Sequence, residues 1–349
     1  MWLFLSNYKI LHCCDSLPLF RTSNLCPVLG HQIWGQIQYN RYMRTQTSLA
    51  GIYAAAITPI HKDGSLDLES LPVYLDFLAN RGCHGALILG TTGEGPSFSP
   101  DERDAILKAG IGVLNSQRDF VLFAGTGTPS LHETICLTKT AFDIGYQGVV
   151  VLPPYYFKSV SDDGLFSWFS ALIQQAVPEK GALFVYHIPA VSGVAISLEL
   201  LSRLKSKFPD QLVGIKDSSG DPIYGSKLIK KFRNDLTILT GNDRFITETL
   251  NGGGSGCITA LANTLSPMIR KLWDAFHHAE DTTLFQEYLI QARTIAEKLG
   301  PFPPLIKALL PLQHNLPTWS VRPPLTPFTK DQANKLLRDL NSINYEAIN

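Results

Sequence analysis

The 349-residue chain has no excess of either charge and contains no long apolar run. It has 30 Lys and Arg residues against 30 Asp and Glu residues, and only 17% of its residues are charged. A nucleic-acid-binding chain shows a basic excess, and a disordered chain is more polar than this one. No apolar run reaches the roughly 18 to 20 residues that span a bilayer. We therefore expect neither a nucleic-acid partner nor a membrane partner.

Cysteine is also scarce, and its spacing gives no binding motif. Of the six Cys residues only Cys13 and Cys14 are close together, which is not the CxxC spacing of a zinc knuckle. The HExxH pattern, histidine–carboxylate spacings typical of metal sites, and a phosphate-binding P-loop are likewise absent from the sequence. We expect no metal site, and the reduced thiols that are typical of a cytoplasmic protein.

The first 48 residues differ from the rest of the chain. Residues 1–50 contain a single acid and no clear apolar period. Acid-poor N termini are typical of organelle import, but Lys9, Arg21 and Arg41 are few for that purpose. We favour an extension over residues 1–48 that is unstructured or outside the fold, with Met43 beginning the functional chain; import through this segment remains an alternative to a cytoplasmic location.

Eight short runs rich in Val, Ile, Leu and Ala begin at Gly51. Continuous apolar runs without alternation are expected for strands that are buried on both faces of a parallel sheet. The predicted strands are Gly51–Ile57, Gly85–Leu89, Phe120–Ala124, Gly148–Leu152, Ala182–Tyr186, Leu212–Lys216, Leu236–Thr240 and Gly256–Thr259.

Segments with a helical period separate these runs. The second begins with Ser99-Pro100-Asp101-Glu102, which combines a capping residue, a first-turn proline and acids at the positive helix end. Eight strand–helix units in about 230 residues fit a (β/α)₈ barrel. A doubly wound sheet usually carries GxGxxG after its first strand, and that motif is missing here. We predict an α/β fold, a TIM barrel over residues 49–281, with a C-terminal helical region over residues 282–349.

Lys216 is the most informative candidate at the strand ends, where barrel enzymes place their chemistry. It follows the apolar residues Leu212–Ile215, and lysine is rarely buried without a partner or a purpose. Desolvation favours the neutral amine, which is the form that attacks carbonyl carbons. The alternative is a structural lysine paired with Asp217, but the two-residue period of a strand puts their side chains on opposite faces.

Two further features accompany Lys216. Tyr186 ends the neighbouring predicted strand and can shuttle protons. Thr91 and Thr92 lie between Gly90 and Gly93, whose backbone N–H groups are open to a carboxylate. A nucleophile, a proton shuttle and a carboxylate-binding loop together predict an enzyme that acts on a 2-oxo acid.

Two other polar residues at the strand ends are less specific. We interpret Glu94 as a carboxylate that anchors its loop. For His187 a buried strand-end histidine and a pocket residue remain equal alternatives.

Four motifs at these strand ends resemble the pyruvate-dependent class I aldolases, the dihydrodipicolinate synthase and N-acetylneuraminate lyase family. The resemblance covers about residues 49 to 345 and follows the order of the predicted strands. The motifs are Gly90-Thr91-Thr92-Gly93-Glu94, Pro154-Tyr155-Tyr156, Tyr186-His187-Ile188-Pro189-Ala190-Val191-Ser192-Gly193 and Gly214-Ile215-Lys216-Asp217-Ser218-Ser219-Gly220.

The resemblance implies a role for each matching residue. Lys216 matches the lysine that forms a Schiff base with pyruvate, so that a covalent imine replaces any cofactor. Tyr186 matches the proton-shuttling tyrosine. Tyr156 matches a tyrosine that enters the neighbouring subunit's site in a family that is usually tetrameric, a dimer of dimers.

The carboxylate contacts are also implied by the resemblance. Thr91 and Thr92 match the hydroxyl pair after the second strand, and Thr92 matches the pyruvate-carboxylate contact. Gly90 belongs to the same loop. Ile258 matches the position whose backbone contacts bound pyruvate.

One position departs from the synthases. Where they carry an arginine that clamps the second substrate's carboxylate, this chain has Val191, which cannot imitate a bidentate guanidinium. Sialic acid lyases usually have Ser in place of Thr91, and a second acid where this chain reads Asp243-Arg244. We expect Val191 and Asp243 to contact the variable part of the substrate, and Arg244 to meet an acidic substrate tail.

These residues predict a lyase that breaks or forms a C–C bond next to pyruvate. The expected substrate is a 4-hydroxy-2-oxo acid of the 2-keto-3-deoxy sugar acid or hydroxy-oxoglutarate type, with a small aldehyde as the other partner. The alternatives are 4-hydroxy-tetrahydrodipicolinate synthase, N-acetylneuraminate lyase, and a catalytically silent barrel that binds a 2-oxo acid.

Overall fold

The computed structural model describes residues 49–343, so the predicted extension over residues 1–48 lies outside the described residues. Eight parallel strands pair in chain order, and the last pairs with the first to close a barrel. The predicted barrel is confirmed, and each strand lies within two residues of its predicted bounds. The strands are β1 (Gly51–Ala55), β2 (Gly85–Ile88), β3 (Val121–Gly125), β4 (Gly148–Val151), β5 (Ala182–His187), β6 (Leu212–Asp217), β7 (Thr237–Thr240) and β8 (Gly256–Thr259).

The helices form the outer layer, and the longer ones match the segments with a helical period. They are α1 (Ser70–Asn80), α2 (Pro100–Gly110), α3 (Leu131–Asp143), α4 (Asp162–Ala176), α5 (Pro189–Ser192), α6 (Leu198–Lys207), α7 (Pro222–Phe232), α8 (Ile246–Asn251), α9 (Ala262–His277), α10 (Thr283–Glu297), α11 (Phe302–His314) and α12 (Lys330–Asn341).

Sequence signals account for the ends of several helices. Ser99 and Glu102 form the reciprocal capping box at the start of α2. The eighth barrel helix, α9, begins at Ala262. Its first turn is separated from the rest by a kink at Leu265, next to the turn that contains Pro267, because proline cannot continue an existing helical ladder.

Two apolar layers fill the fold. Side chains inside the barrel include Ala182, Phe184 and Tyr186 of β5, whereas Leu183 and Val185 of the same strand pack against the helices. This alternation is what a closed sheet with a solid interior requires. It places Tyr186 as the last inward-facing residue of its strand, at the end of the barrel where the βα loops begin.

A register shift in β6 determines which residues accompany Tyr186. Leu183 pairs with Leu212, but Phe184 pairs with Gly214, so that Val213 is an additional residue. A side chain at position 214 would overlap the Phe184 ring and the Thr237 carbonyl oxygen, which explains the glycine there. Beyond the shift Tyr186 pairs with Lys216, and paired residues of parallel strands point to the same face. Lys216 therefore points into the barrel.

The C-terminal helical region packs back onto the barrel. Helices α10 and α11 follow α9, and a segment between α11 and α12 crosses to the first βα loop, where the Trp319 indole N–H donates to Asp67 at 3.0 Å. Within residues 49–343 no helix combines the length and the apolar character that a membrane crossing requires.

The stability of the fold is expected to depend on pH through His84, which is half-buried before β2. Its Nδ1 lies 3.1 Å from the Ile52 amide, which donates to it, and burial lowers the pKa of the imidazole to about 4. An unfolded histidine titrates near 6.5, so the native state binds fewer protons between the two values. The stability that neutral His84 contributes above pH 6.5 is therefore lost as the pH falls towards 4.

Urea unfolding at pH 7.5 and pH 5.0 tests this expectation. His84→Gln keeps an acceptor for Ile52 but cannot titrate, so its free energy of unfolding should fall less than that of the wild type, by about 1 kcal/mol after allowance for partial exposure. An equal fall in both proteins would contradict the assignment.

Candidate active site

A cavity of about 500 Å³ opens at the C-terminal ends of the strands, within the size range of small-ligand sites. Six of the nine predicted site residues line it. They are Thr91, Thr92, Tyr186, Val191, Lys216 and Ile258. The barrel thus brings together side chains from β2, β5, β6 and β8 that are far apart in sequence.

Lys216 and Tyr186 form the floor of this cavity. Both are nearly fully buried, and Lys216 Nζ lies 4.2 Å from the centroid of the Tyr186 ring. Burial by itself would raise the pKa of the Tyr186 phenol. The Lys216 charge and hydrogen bonds from Thr91, Lys216 and Ser218 outweigh it, so the pKa is lowered from its ordinary value of 10.0. A phenol of lowered pKa gives up its proton more readily, which suits proton transfer.

The β2 loop brings hydroxyl groups to the same floor. Thr91 Oγ1 lies 3.3 Å from Tyr186 Oη, and Thr92 beside it is buried. The loop folds tightly against the end of β1, because a side chain at Gly93 would lie 2.7 Å from the Ala56 carbonyl oxygen. The result is a fixed pair of hydroxyls next to the buried amine.

A buried ion pair holds this loop in place. Glu94 has a left-handed backbone with φ 58°, and its carboxylate accepts from Lys307 Nζ at 2.5 Å and from the Arg322 amide at 2.9 Å. Lys307 belongs to α11 and is 2% exposed. Glu94 therefore anchors its loop, as we interpreted it. Its partner was missed, although Lys307 also lies in an apolar run, the signal that drew attention to Lys216.

His187 and Asp217 lie on the outer face of the sheet, behind the floor. His187 Nδ1 is 3.1 Å from Asp217 Oδ1, and the His187 ring packs against Tyr224 with 4.3 Å between centroids. His187 does not line the cavity, which decides between the two alternatives. Asp217 pairs with His187 and faces away from Lys216, as the strand period predicts.

The far side of the cavity is charged, and sequence reasoning missed most of it. Arg244 follows β7, whereas Arg293 and Glu297 come from α10, outside the barrel. Glu297 accepts from Arg244 at 2.6 Å and from Arg293 at 2.7 Å. We call Arg244, Arg293 and Glu297 the distal wall. No local sequence motif predicts the distal wall, because α10 reaches the cavity only through tertiary packing.

Three predicted site residues do not line this cavity. Asp243 is fully buried, and its carboxylate accepts from Arg293 Nη1 at 2.9 Å, so the structure places it behind the distal wall. Gly90 borders a separate cavity of about 20 Å³ next to Thr91. Tyr156 is 74% exposed and packs edge-on against Phe157. Its predicted role in a neighbouring subunit stays a prediction.

The sequence pattern of the dihydrodipicolinate synthetase family matches residues 48–343. The chain belongs to this family. Among its relatives, an "Uncharacterized DapA-like lyase" of Chloroflexus aurantiacus is 38% identical over 82% of this chain and 94% of the relative. The 4-hydroxy-tetrahydrodipicolinate synthase of Bacillus subtilis is 27% identical over 85% of this chain and 100% of the relative.

Solved structures of the family share the architecture. YagE of Escherichia coli K12, a prophage protein of the dihydrodipicolinic acid synthase family crystallised with pyruvate, is 26% identical with a TM-score of 0.78. It matches 84% of this chain and 99% of its own. Within residues 49–343 no group of three or more His, Cys, Asp or Glu side chains is arranged to hold a metal ion.

The Glu94–Lys307 pair yields a stability prediction. Lys307→Met would leave the Glu94 carboxylate buried without its counter-charge, which costs about 3–5 kcal/mol of unfolding free energy. The double variant Glu94→Gln/Lys307→Met should recover most of that loss, since neither charge remains. Urea unfolding measures both. Lys298→Met, at an exposed position, is the control. Wild-type stability in Lys307→Met would refute the anchoring role.

Proposed function

We propose that the protein is a Schiff-base lyase that cleaves a 4-hydroxy-2-oxo acid into pyruvate and an aldehyde, or runs the reverse condensation. The family comprises lyases and synthases, and the chain is an enzyme of that class. The observation that carries the proposal is the buried Lys216 amine next to Tyr186 and Thr91 at the floor of an open cavity.

The first steps require only an amine and a proton relay. Lys216 Nζ attacks the C2 ketone, and the Tyr186 phenol gives its proton to the departing water, which leaves a protonated imine and the Tyr186 phenolate. As the C3–C4 bond breaks, its electron pair passes to C3 and is held as an enamine, while the C4 hydroxyl proton goes to the Tyr186 phenolate. The leaving fragment is the aldehyde. The lowered pKa of Tyr186 supports this role because it favours the form that accepts the proton.

The cycle closes without an added cofactor. Tyr186 returns the proton to C3 of the enamine, one water hydrolyses the protonated imine to pyruvate and free Lys216, and the proton released restores the Tyr186 phenol. In this proposal Thr91, Thr92 and the backbone at Ile258 hold the pyruvate portion. The water that is released on imine formation balances the water that is consumed in hydrolysis. The covalent imine accepts the electron pair of the broken bond and so takes the place of a cofactor.

We also propose that the enzyme works as a tetramer. Tyr156 and Phe157 are 74% and 72% exposed on one rim loop, and an aromatic pair of this kind is typical of protein interfaces. Burial of Tyr156 at a neighbouring subunit's site is the arrangement that the family resemblance implies.

Borohydride trapping tests the imine. Incubation with pyruvate and borohydride should add one reduced pyruvyl group to Lys216, which peptide mass spectrometry localises. Lys216→Ala should remain unmodified, and the exposed Lys298 is an internal control in the same digest. A wild-type protein without the Lys216 adduct would exclude the mechanism.

Tyr186→Phe separates imine formation from turnover. The variant keeps the ring against Lys216 but loses the proton relay, so the adduct should still form while kcat falls by about 10²- to 10⁴-fold.

A second candidate is 4-hydroxy-tetrahydrodipicolinate synthase. The Bacillus subtilis relative has that name, and the match to this chain covers its full length. The position of the synthases' arginine is here Val191, 60% exposed at the cavity. N-acetylneuraminate lyase and a silent 2-oxo-acid-binding barrel have no comparable support.

An assay with pyruvate and aspartate semialdehyde distinguishes the candidates. Since valine offers no bidentate clamp, we expect condensation at least about 100-fold below that of an Arg-bearing synthase run in parallel. A higher condensation rate in Val191→Arg than in the wild type would show that the missing guanidinium is the cause. Rapid wild-type condensation would favour the synthase.

A further inference from the structure

The distal wall faces the part of the substrate that would leave as the aldehyde. Lys216, Tyr186, Thr91 and Thr92 occupy the floor of the cavity, and the distal wall lines the same cavity, as do Pro301 to Pro303. An extended 2-oxo acid held at C2 by the floor must direct its remaining carbons past these side chains. The chemistry of the wall therefore selects the aldehyde.

Together with the buried Asp243 behind it, the distal wall has no net charge. Arg244 is paired with Glu297, and Arg293 is paired with both Glu297 and Asp243 behind it. Two guanidinium groups thus balance two carboxylates. The Glu297 carboxyl is ionised at neutral pH: burial raises its pKa, but hydrogen bonds from Arg293 and Arg244 outweigh burial and lower it.

The wall is held in one geometry. The Arg293 guanidinium lies 4.3 Å from the centre of the Phe302 ring, and Arg244 Nη2 donates to Thr294 at 3.1 Å. Asn242 accepts from the Arg244 backbone amide at 3.1 Å. Because partners fix both arginines, neither can swing freely towards a new anion.

A second carboxylate on the substrate is disfavoured at such a wall. It would approach the Glu297 carboxylate and compete with it for both guanidinium groups, while Val191 on the same cavity offers no charge. A hydroxyl group, in contrast, donates to Glu297 and accepts from an arginine N–H at the same time. The mixed wall suits hydroxyl groups on an uncharged chain.

We propose that the distal wall is the subsite for an uncharged polyhydroxylated tail, so that the aldehyde product is a neutral hydroxyaldehyde and not one that carries a second carboxylate. This inference rests on the proposed function. It replaces the expectation that Arg244 meets an acidic tail, because Glu297 already occupies that guanidinium.

The test compares two substrates in one pyruvate-release assay. 2-Keto-3-deoxygluconate carries a hydroxylated tail, and 4-hydroxy-2-oxoglutarate carries a carboxylate. The wild type should prefer the first by at least about tenfold in kcat/KM. Glu297→Gln should lower kcat/KM for the hydroxylated substrate about tenfold and raise it for the dicarboxylate, since the wall and Asp243 together then carry a net positive charge. Glu287→Gln, exposed on the same helix, should match the wild type.

Arg244→Gln supplies the opposite charge change at a half-exposed position. It should lower kcat/KM for both substrates, and for the dicarboxylate more strongly. The two variants should therefore change kcat/KM for the dicarboxylate in opposite directions, which a general structural defect does not do. If Glu297→Gln fails to fold, the wild-type preference between the two substrates decides the question.

Borohydride trapping with pyruvate, run on each variant, separates the two proposals. If Lys216 is trapped but the dicarboxylate is preferred, or neither substrate is cleaved, the hydroxyl subsite is wrong and the imine chemistry stands. Wild-type kcat/KM values in both variants would likewise show that the hydroxyl subsite is wrong. If Lys216 is not trapped in the wild type, the proposed function fails, and the subsite inference fails with it.

Discussion

The pairing of β5 with β6 is the constraint on which the site depends. One additional residue in β6 shifts the register between Leu183 and Phe184, and every later residue of that strand changes face relative to its neighbour. Tyr186 and Lys216 consequently point into the barrel together, and the pair His187 and Asp217 points outward. Without the shift, Ile215 would pair with Tyr186 and point into the barrel, and the Lys216 amine would face the helices.

The C-terminal helices belong to the site through two buried ion pairs. Lys307 of α11 holds Glu94 after β2, and Arg293 of α10 holds Asp243 after β7. Buried ion pairs are weak sources of stability because desolvation offsets most of their attraction. Their geometric demands are strict, however, so they fix the positions of the two loops that bear the hydroxyl pair and Arg244.

Floor and wall divide the proposed chemistry between them. The floor residues would bind the pyruvate part of the substrate, which is common to pyruvate-dependent reactions. They lie at the ends of strands that barrel closure aligns. The distal wall would contact the aldehyde part of the substrate, which varies between enzymes. It belongs to a loop and an appended helix, segments that can change in sequence without disturbing the barrel. Val191 and the charge-balanced Glu297 are both features of this variable side. This division explains why membership of the family leaves the aldehyde open.

The sequence by itself determined the eight strands, the helices between them, and the importance of Lys216. Apolar runs and a lysine embedded in one of them are local signals, so chain order alone placed Tyr186 and Lys216 at neighbouring strand ends. The register shift in β6 and the burial of Asp243 were decided only by the tertiary structure. So was the entry of Glu297 into the cavity, because each depends on how segments distant in sequence pack once the barrel has closed.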